Sequence, residues 1–185
     1  MPKKMSISEL KKLLYRMDQV EIIELICRLY KASPDVVNIL CAEMGDNGYE
    51  EALLEESRKK IRSQFFTARG MGKLSLSTAK KVISDFKKAS TSADGVIELQ
   101  IYYVECCTEF TNTYGDLYDS FYNSLMNVFC AAVKGLNKEN SPELFSKYYP
   151  RLKQIVEDLR DVGYGVYDYL REVLNEVLNW SEDTI

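Results

Sequence analysis

DGVIELQIYYVECCTEFTNT, residues 94–113, decides the fold. Ile97, Ile101, Val104, Cys107 and Phe110 spread apolar side chains over most of a helical wheel. A helix that is hydrophobic almost all round has to be enclosed by other elements, so this one is expected at the centre. One narrow stripe is polar: Glu98, Tyr102, Glu105, Glu109 and Asn112 recur at steps of four, three, four and three. That stripe reads as the helix's exposed face, or as carboxylates turned toward a common site.

Downstream, Tyr114-Gly115-Asp116 turns the chain. Leu117, Phe121, Leu125, Val128 and Ala132 then form a stripe ending near Gly135. Ser141-Pro142 caps a helix whose stripe (Phe145, Tyr148, Leu152, Ile155, Leu159) keeps phase across Pro150, which predicts one kinked helix. Gly163-Tyr164-Gly165 breaks it, and a last helix runs from Val166 to Trp180, with 181–185 as a frayed tail. Upstream, Ser6 with Glu9 and Asp18 with Glu21 are capping boxes. The first precedes Leu10, Leu13, Leu14 and Met17; the second precedes a wide apolar arc of Ile22, Ile23, Leu25, Ile26, Leu29 and Tyr30. Ser33-Pro34 starts a third helix, closed by Gly45 and Gly48. A longer one spans Tyr49 to Ala68, with Leu54, Ile61, Phe65 and Ala68 on one side, ended by Gly70 and Gly72. Ser75 or Ser77 caps the next, which turns Ala79, Val82, Ile83 and Phe86 inward.

No alternating strand pattern and no fixed-period repeat emerges. The prediction is an all-α chain of about nine helices in antiparallel helical hairpins, arranged as an irregular solenoid-like array or a bundle. A single helical domain is expected over 1–180; the glycine break divides it at most into sub-lobes 1–69 and 73–180.

Histidine is absent, which excludes Ser-His and Cys-His nucleophile pairs, imidazole bases and His-ligated zinc or iron. The five cysteines (Cys27, Cys41, Cys106, Cys107, Cys130) form no C-x-x-C pair and suit a reducing cytosol. Met1-Pro2-Lys3-Lys4 leads straight into a charged helix without a signal peptide, and no apolar run is long enough for a membrane span, so the expected location is cytoplasmic. Thirteen tyrosines suggest rings at the core boundary with hydroxyls outward, and some contact surface.

Charge comes in blocks. Residues 1–57 hold seven bases and eleven acids, residues 58–88 ten bases and one acid, and residues 89–185 seven bases and sixteen acids. Within the basic band, Arg69-Gly70-Met71-Gly72-Lys73 ahead of a helix start could cradle an anion with backbone N–H groups. It is not a Walker A loop, because Thr67 replaces the first glycine and Leu74 follows Lys73. With Arg58, Lys59, Arg62, Lys80, Lys81, Lys87 and Lys88 the band is an anion or nucleic-acid candidate; equally, it could pair with the chain's own acidic blocks. A second candidate is a polar-aromatic groove at helix ends: Glu105, Asn112, Tyr114, Asp116, Tyr122, Asn123, Asp161, Tyr164, Tyr167 and Asp168. It requires the 110–124 and 161–168 turns to meet at one end of the array. Residues of these types also close ordinary turns.

The segments GKLSLSTAKKVISDFKKAS (72–90), IELQIYYVECCTEFTNTYGDLYDSFYNS (97–124), DVGYGVYDYL (161–170) and SELKKLLYRMDQVEIIELICRLYKASPDV (8–36) resemble an uncharacterised family of small bacterial all-helical proteins, a domain of unknown function. The resemblance implies an intracellular helical protein and no particular activity. The family's last motif has Trp and His where this chain has Tyr164 and Tyr167. A function using that histidine would not operate the same way here.

The leading functional expectation is a non-enzymatic protein-binding or adaptor module, with a protein partner, no cofactor, no bound metal and no membrane insertion. The alternative is nucleic-acid binding through the 58–88 band. A further alternative is a metal-dependent hydrolase using Glu105, Glu109, Asp116 and Asp161. The oligomeric state is open.

Overall fold

The structure, a computed structural model, describes residues 5–45, 47–90 and 92–177. Among these are nine helices: α1 (Ile7–Leu14), α2 (Gln19–Ala32), α3 (Pro34–Met44), α4 (Asn47–Phe65), α5 (Leu76–Ala89), α6 (Ala93–Tyr114), α7 (Asp119–Glu139), α8 (Pro142–Asp158) and α9 (Val166–Val177). The expected end at Trp180 and the tail 181–185 lie outside the described residues. The fold is all-α, and α6 is its axis: α4, α5, α7 and α8 all pack on it, while α9 closes over α7 and α8. Its own buried residues, from Ile97 to Phe110, explain why its sequence is apolar nearly all round.

Both predicted capping boxes form: Ser6 Oγ accepts from the Glu9 N–H at 3.3 Å, and Asp18 Oδ1 from the Glu21 N–H at 2.8 Å. Helix α8 runs unbroken through Pro150. Three local expectations need correction. Helix α4 stops at Phe65, short of Ala68, and a two-residue antiparallel ribbon follows, pairing β1 (Phe66–Thr67) with β2 (Gly70–Met71). The ribbon is too short to show alternation in the sequence. Its chain then folds back, and the N–H groups of Gly72 and Leu74 donate to the carbonyls of Phe65 and Gln64, each at 2.7 Å. These bonds occupy carbonyls that the end of α4 leaves open. A Cβ on Gly72 would stand 2.5 Å from the Gln64 oxygen, so no other residue fits there. Next, Gly135 does not end α7, which continues to Glu139 and is capped by left-handed Asn140. Gly135 lies instead against Ile97 of α6, where a Cβ would come within 3.0 Å. Finally, Ser75 precedes α5 without capping it; its hydroxyl meets that of Thr78 at 2.7 Å.

The hydrophobic core runs from Ile61 to Val177 and takes members from α4 through α9. Tyr103, Tyr122 and Tyr148 are wholly inside it, unlike the boundary position expected for most tyrosines. Their hydroxyls meet Ser124, Thr111 and Asp94 at 2.8, 2.8 and 2.5 Å. Buried polar groups need such partners. Residues 5–45 contribute no buried residue at all. Helix α2 packs on α3, and α3 reaches α4 and α5, so the first three helices form an arm on the side of the body.

Gly95, in the first turn of α6, meets the buried ring of Phe86, and an added Cβ would lie 2.7 Å from two ring carbons. Gly95→Ala should therefore lose stability by about 1–2 kcal/mol in urea titrations, because overpacking exceeds the gain in helix propensity. Gly163→Ala, with nothing within 4 Å, should be neutral or up to about 1 kcal/mol more stable.

Candidate functional site

The polar stripe of α6 is exposed only toward its end: Glu98 is buried, Tyr102 and Glu105 are half-buried, and Glu109 and Asn112 are exposed. Glu98 is 5 % exposed and takes Arg151 of α8 at 2.5 Å and Arg58 of α4 at 3.2 Å. Arg151 reaches on to Glu105 with two further bonds of 2.7 and 2.8 Å. Glu109 receives a forked pair from Arg62 at 2.8 and 2.9 Å. Asp94, at the head of α6, takes Lys147 at 2.9 Å and the Tyr148 hydroxyl at 2.5 Å. One row of acids on α6 thus binds cations from the helices on both sides. Burial works against the charge of Arg151, but the carboxylates of Glu105 and Glu98 outweigh it and hold the guanidinium protonated more firmly than usual. Arg58 also lies over the Tyr102 ring at 4.5 Å, and Arg62 over Phe66 at 4.8 Å.

This seam divides the basic band. Arg58 and Arg62 face acids of their own chain. Lys59 pairs with Glu55 at 3.8 Å within α4, and Lys81 and Lys88 reach Asp85 at 2.6 and 3.7 Å. Arg69, Lys73, Lys80 and Lys87 are exposed and in no ion pair among the described residues. The N–H of Gly72 is taken up by Phe65, and Gly70 holds the ribbon turn at φ 107°. Lys87 borders a cleft of about 500 Å³ that Lys134 and Lys138 of α7 also line.

The two turns of the groove do meet. Tyr164 stacks on Tyr122 with ring centres 5.1 Å apart, and the Asn112 amide donates to the Asp158 carbonyl at 3.2 Å. The set nonetheless separates. Glu105 and Asn112 border a cleft of about 440 Å³ between α6 and α8, together with Arg151 and Asp158. Tyr122 is buried, and its hydroxyl serves Thr111, the Leu117 N–H and Asp116. Tyr114 packs against Phe110 at 4.7 Å. Tyr167 stands 5.8 Å from both Arg160 and Arg171, while Asn123, Asp161 and Asp168 face solvent. Among the described residues, no three carboxylates or thiols are grouped to hold a metal, so Glu105, Glu109, Asp116 and Asp161 do not form one cluster. Burial pushes the Cys106 thiol up to about 12 and that of Cys107 well above its usual value, which keeps both in the unreactive thiol form.

The profile of a family of unknown function, DUF6155, matches residues 5–164. The chain belongs to that family. No curated protein and no solved structure matches it. The matched span of this DUF6155 chain starts at the arm and ends in the turn before α9, so arm and body fall within one family unit.

The surface that individual motifs missed is on the arm. Ile7 is 74 % exposed, Val20 64 % and Ile23 51 %; Leu10, Leu13, Ile26, Leu29 and Tyr30 are open to water as well. Scattered apolar side chains on a surface are ordinary, but whole faces at helical spacing are not. Both faces were visible as periodic stripes in the sequence. What the sequence lacked was any sign that the body would leave them uncovered.

Arg151→Met should leave Glu98 buried with Arg58 alone and lower stability by about 2–4 kcal/mol. Arg62→Met, at a half-exposed pair, should cost no more than about 1 kcal/mol in the same urea titration. Its pH dependence has a defined sign. The Arg62 hydrogen bonds hold the Glu109 carboxyl below its ordinary 4.5, against an opposing effect of burial. The pair's contribution is therefore complete above that ordinary value and is lost as the pH falls through the lowered folded-state value. The stability gap between wild type and Arg62→Met should stay constant from pH 7 down to about 5 and close in stronger acid.

Proposed function

We propose that this chain is a non-catalytic protein-binding module whose contact surface is the arm α1–α3. The observation that carries the reading is the pair of capped, amphipathic helices whose apolar faces remain in water while the rest of the chain has a complete core. Partner-binding helices present anchors in this way, as apolar residues at i, i+3, i+4 and i+7. The polar groups of the body point away from catalysis. Histidine is absent, the α6 carboxylates are neutralised by arginine, and the two buried thiols are held protonated. Five unpaired thiols suit a reducing compartment, so the reading includes a cytoplasmic location. No helix among the described residues is long and apolar enough to cross a membrane.

A nucleic-acid reading draws on exposed Arg69, Lys73, Lys80 and Lys87. It has less support, because Arg58 and Arg62 are held by Glu98 and Glu109. The hydrolase reading has less still, since Glu105 and Glu109 are held by arginines, Asp116 meets the Tyr122 hydroxyl and Asp161 faces solvent.

The test is capture from native lysate with the full chain as bait. Leu10→Asp and Ile23→Asp should each lower recovery of the bound protein by about tenfold or more, the effect expected when an apolar anchor is lost. Arg69→Ala with Lys73→Ala should leave it unchanged. Binding of neither another protein nor a second copy of this chain, or binding indifferent to the arm substitutions, contradicts the proposal.

A further inference from the structure

Helix α2 carries more information than an uncovered apolar face. Val20, Ile23, Cys27 and Tyr30 recur at i, i+3, i+7 and i+10, and all four are exposed. This is the seam spacing of a two-helix coiled coil. On the opposite side, where α2 packs on α3, Ile22 and Leu25 are half-buried, so one arc is used within the chain and the other is open. Charges beside the open seam are ordered along the helix: Glu21 and Glu24 in the first half, Arg28 and Lys31 in the second. Glu24, Arg28 and Lys31 are in no ion pair among the described residues.

We propose that the partner of the arm is a second copy of this chain, joined through an antiparallel, two-fold pairing of α2 with α2. This rests on the binding reading above and names its partner. An antiparallel crossing at Ile26 sets Glu24 of one copy beside Arg28 of the other, and Glu21 beside Lys31. A parallel two-fold pairing would instead turn this charged flank of each copy toward the opposite flank of the other, around Gln19 and Ile26, and leave the charges unmatched. The face is therefore complementary to itself in one orientation, as an isologous interface must be, and a two-fold contact closes at two copies. Ile7, Leu10 and Leu13 of α1 are exposed as well.

Cys27 gives a direct probe, because the crossing places it one residue from the two-fold axis. It is exposed, whereas Cys106 and Cys107 are buried and Cys41 and Cys130 are half-buried. Sedimentation equilibrium of the full chain at about 50 µM should give the mass of two chains. A short bis-maleimide should cross-link two copies, the product being lost in Cys27→Ser and kept in Cys41→Ser. Two charge variants make the orientation testable. E21K/E24K makes the flank wholly basic, and R28E/K31E makes it wholly acidic. Each alone should dimerise at least tenfold more weakly than wild type, and mixing them should restore a mixed dimer. Circular dichroism of each variant checks that its helices are kept.

A monomer up to about 200 µM overturns the inference, as does a dimer that survives Ile23→Asp at full strength or a cross-link that persists in Cys27→Ser. So does a failure of the two charge variants to prefer each other. If the chain is monomeric and the arm substitutions still release a different captured protein, the second-copy inference falls and the binding reading stands. If neither self-association nor arm-dependent capture is found, both fall.

Discussion

The carboxylate of Glu98 is the point on which the body of this protein depends. Helix α6 is covered by four neighbours, and of the acids along it Glu98 is the one shut away from bulk water, while Asp94 and Glu109 keep part of their surface in it. A buried carboxylate without a partner is strongly destabilising. The neighbours supply the answer: Arg58 from α4 and Arg151 from α8 arrive from opposite sides, and Arg151 continues to Glu105. The same contacts fix the rotation of α6 about its axis, because any other setting would bury the acids against apolar side chains. The polar seam orients the helices, and the core from Ile61 to Val177 supplies the bulk of the burial.

That closure leaves the arm as a surplus. Helices α4 to α9 build their core among themselves, and among the described residues none of α1 or α2 takes part in it. Yet both carry complete capping boxes and coherent stripes. Amphipathic helices draw most of their stability from covering the apolar face. Two such helices held outside the core are the basis of the proposed docking face. The ordered charges along α2 give that face a preferred orientation.

The architecture was legible from periodicity. The 94–113 stretch announced a central helix, the phase kept across Pro150 announced one helix, and Ser6-Glu9 and Asp18-Glu21 announced two starts. What escaped was set by tertiary neighbours. Gly135 resembles a terminator until Ile97 is placed against it, and Gly72 resembles an anion cradle until its N–H finds the Phe65 carbonyl. Nothing local in the sequence marks Arg151, whose partners lie 46 and 53 residues away. The basic band was legible as charge; its division between Arg58 and Arg62, turned to α6, and Lys80 and Lys87, turned to water, was not.

Hydrogen exchange of the full chain, read by mass spectrometry at about 1 µM and about 100 µM, separates arm from body most directly. Amides of α6 should exchange slowly and equally at both concentrations, because their protection comes from within one chain. Amides of α2 should exchange quickly in the dilute sample and slow markedly in the concentrated one. Equal α2 exchange at both concentrations, whether fast or slow, would contradict an arm that waits for a second copy.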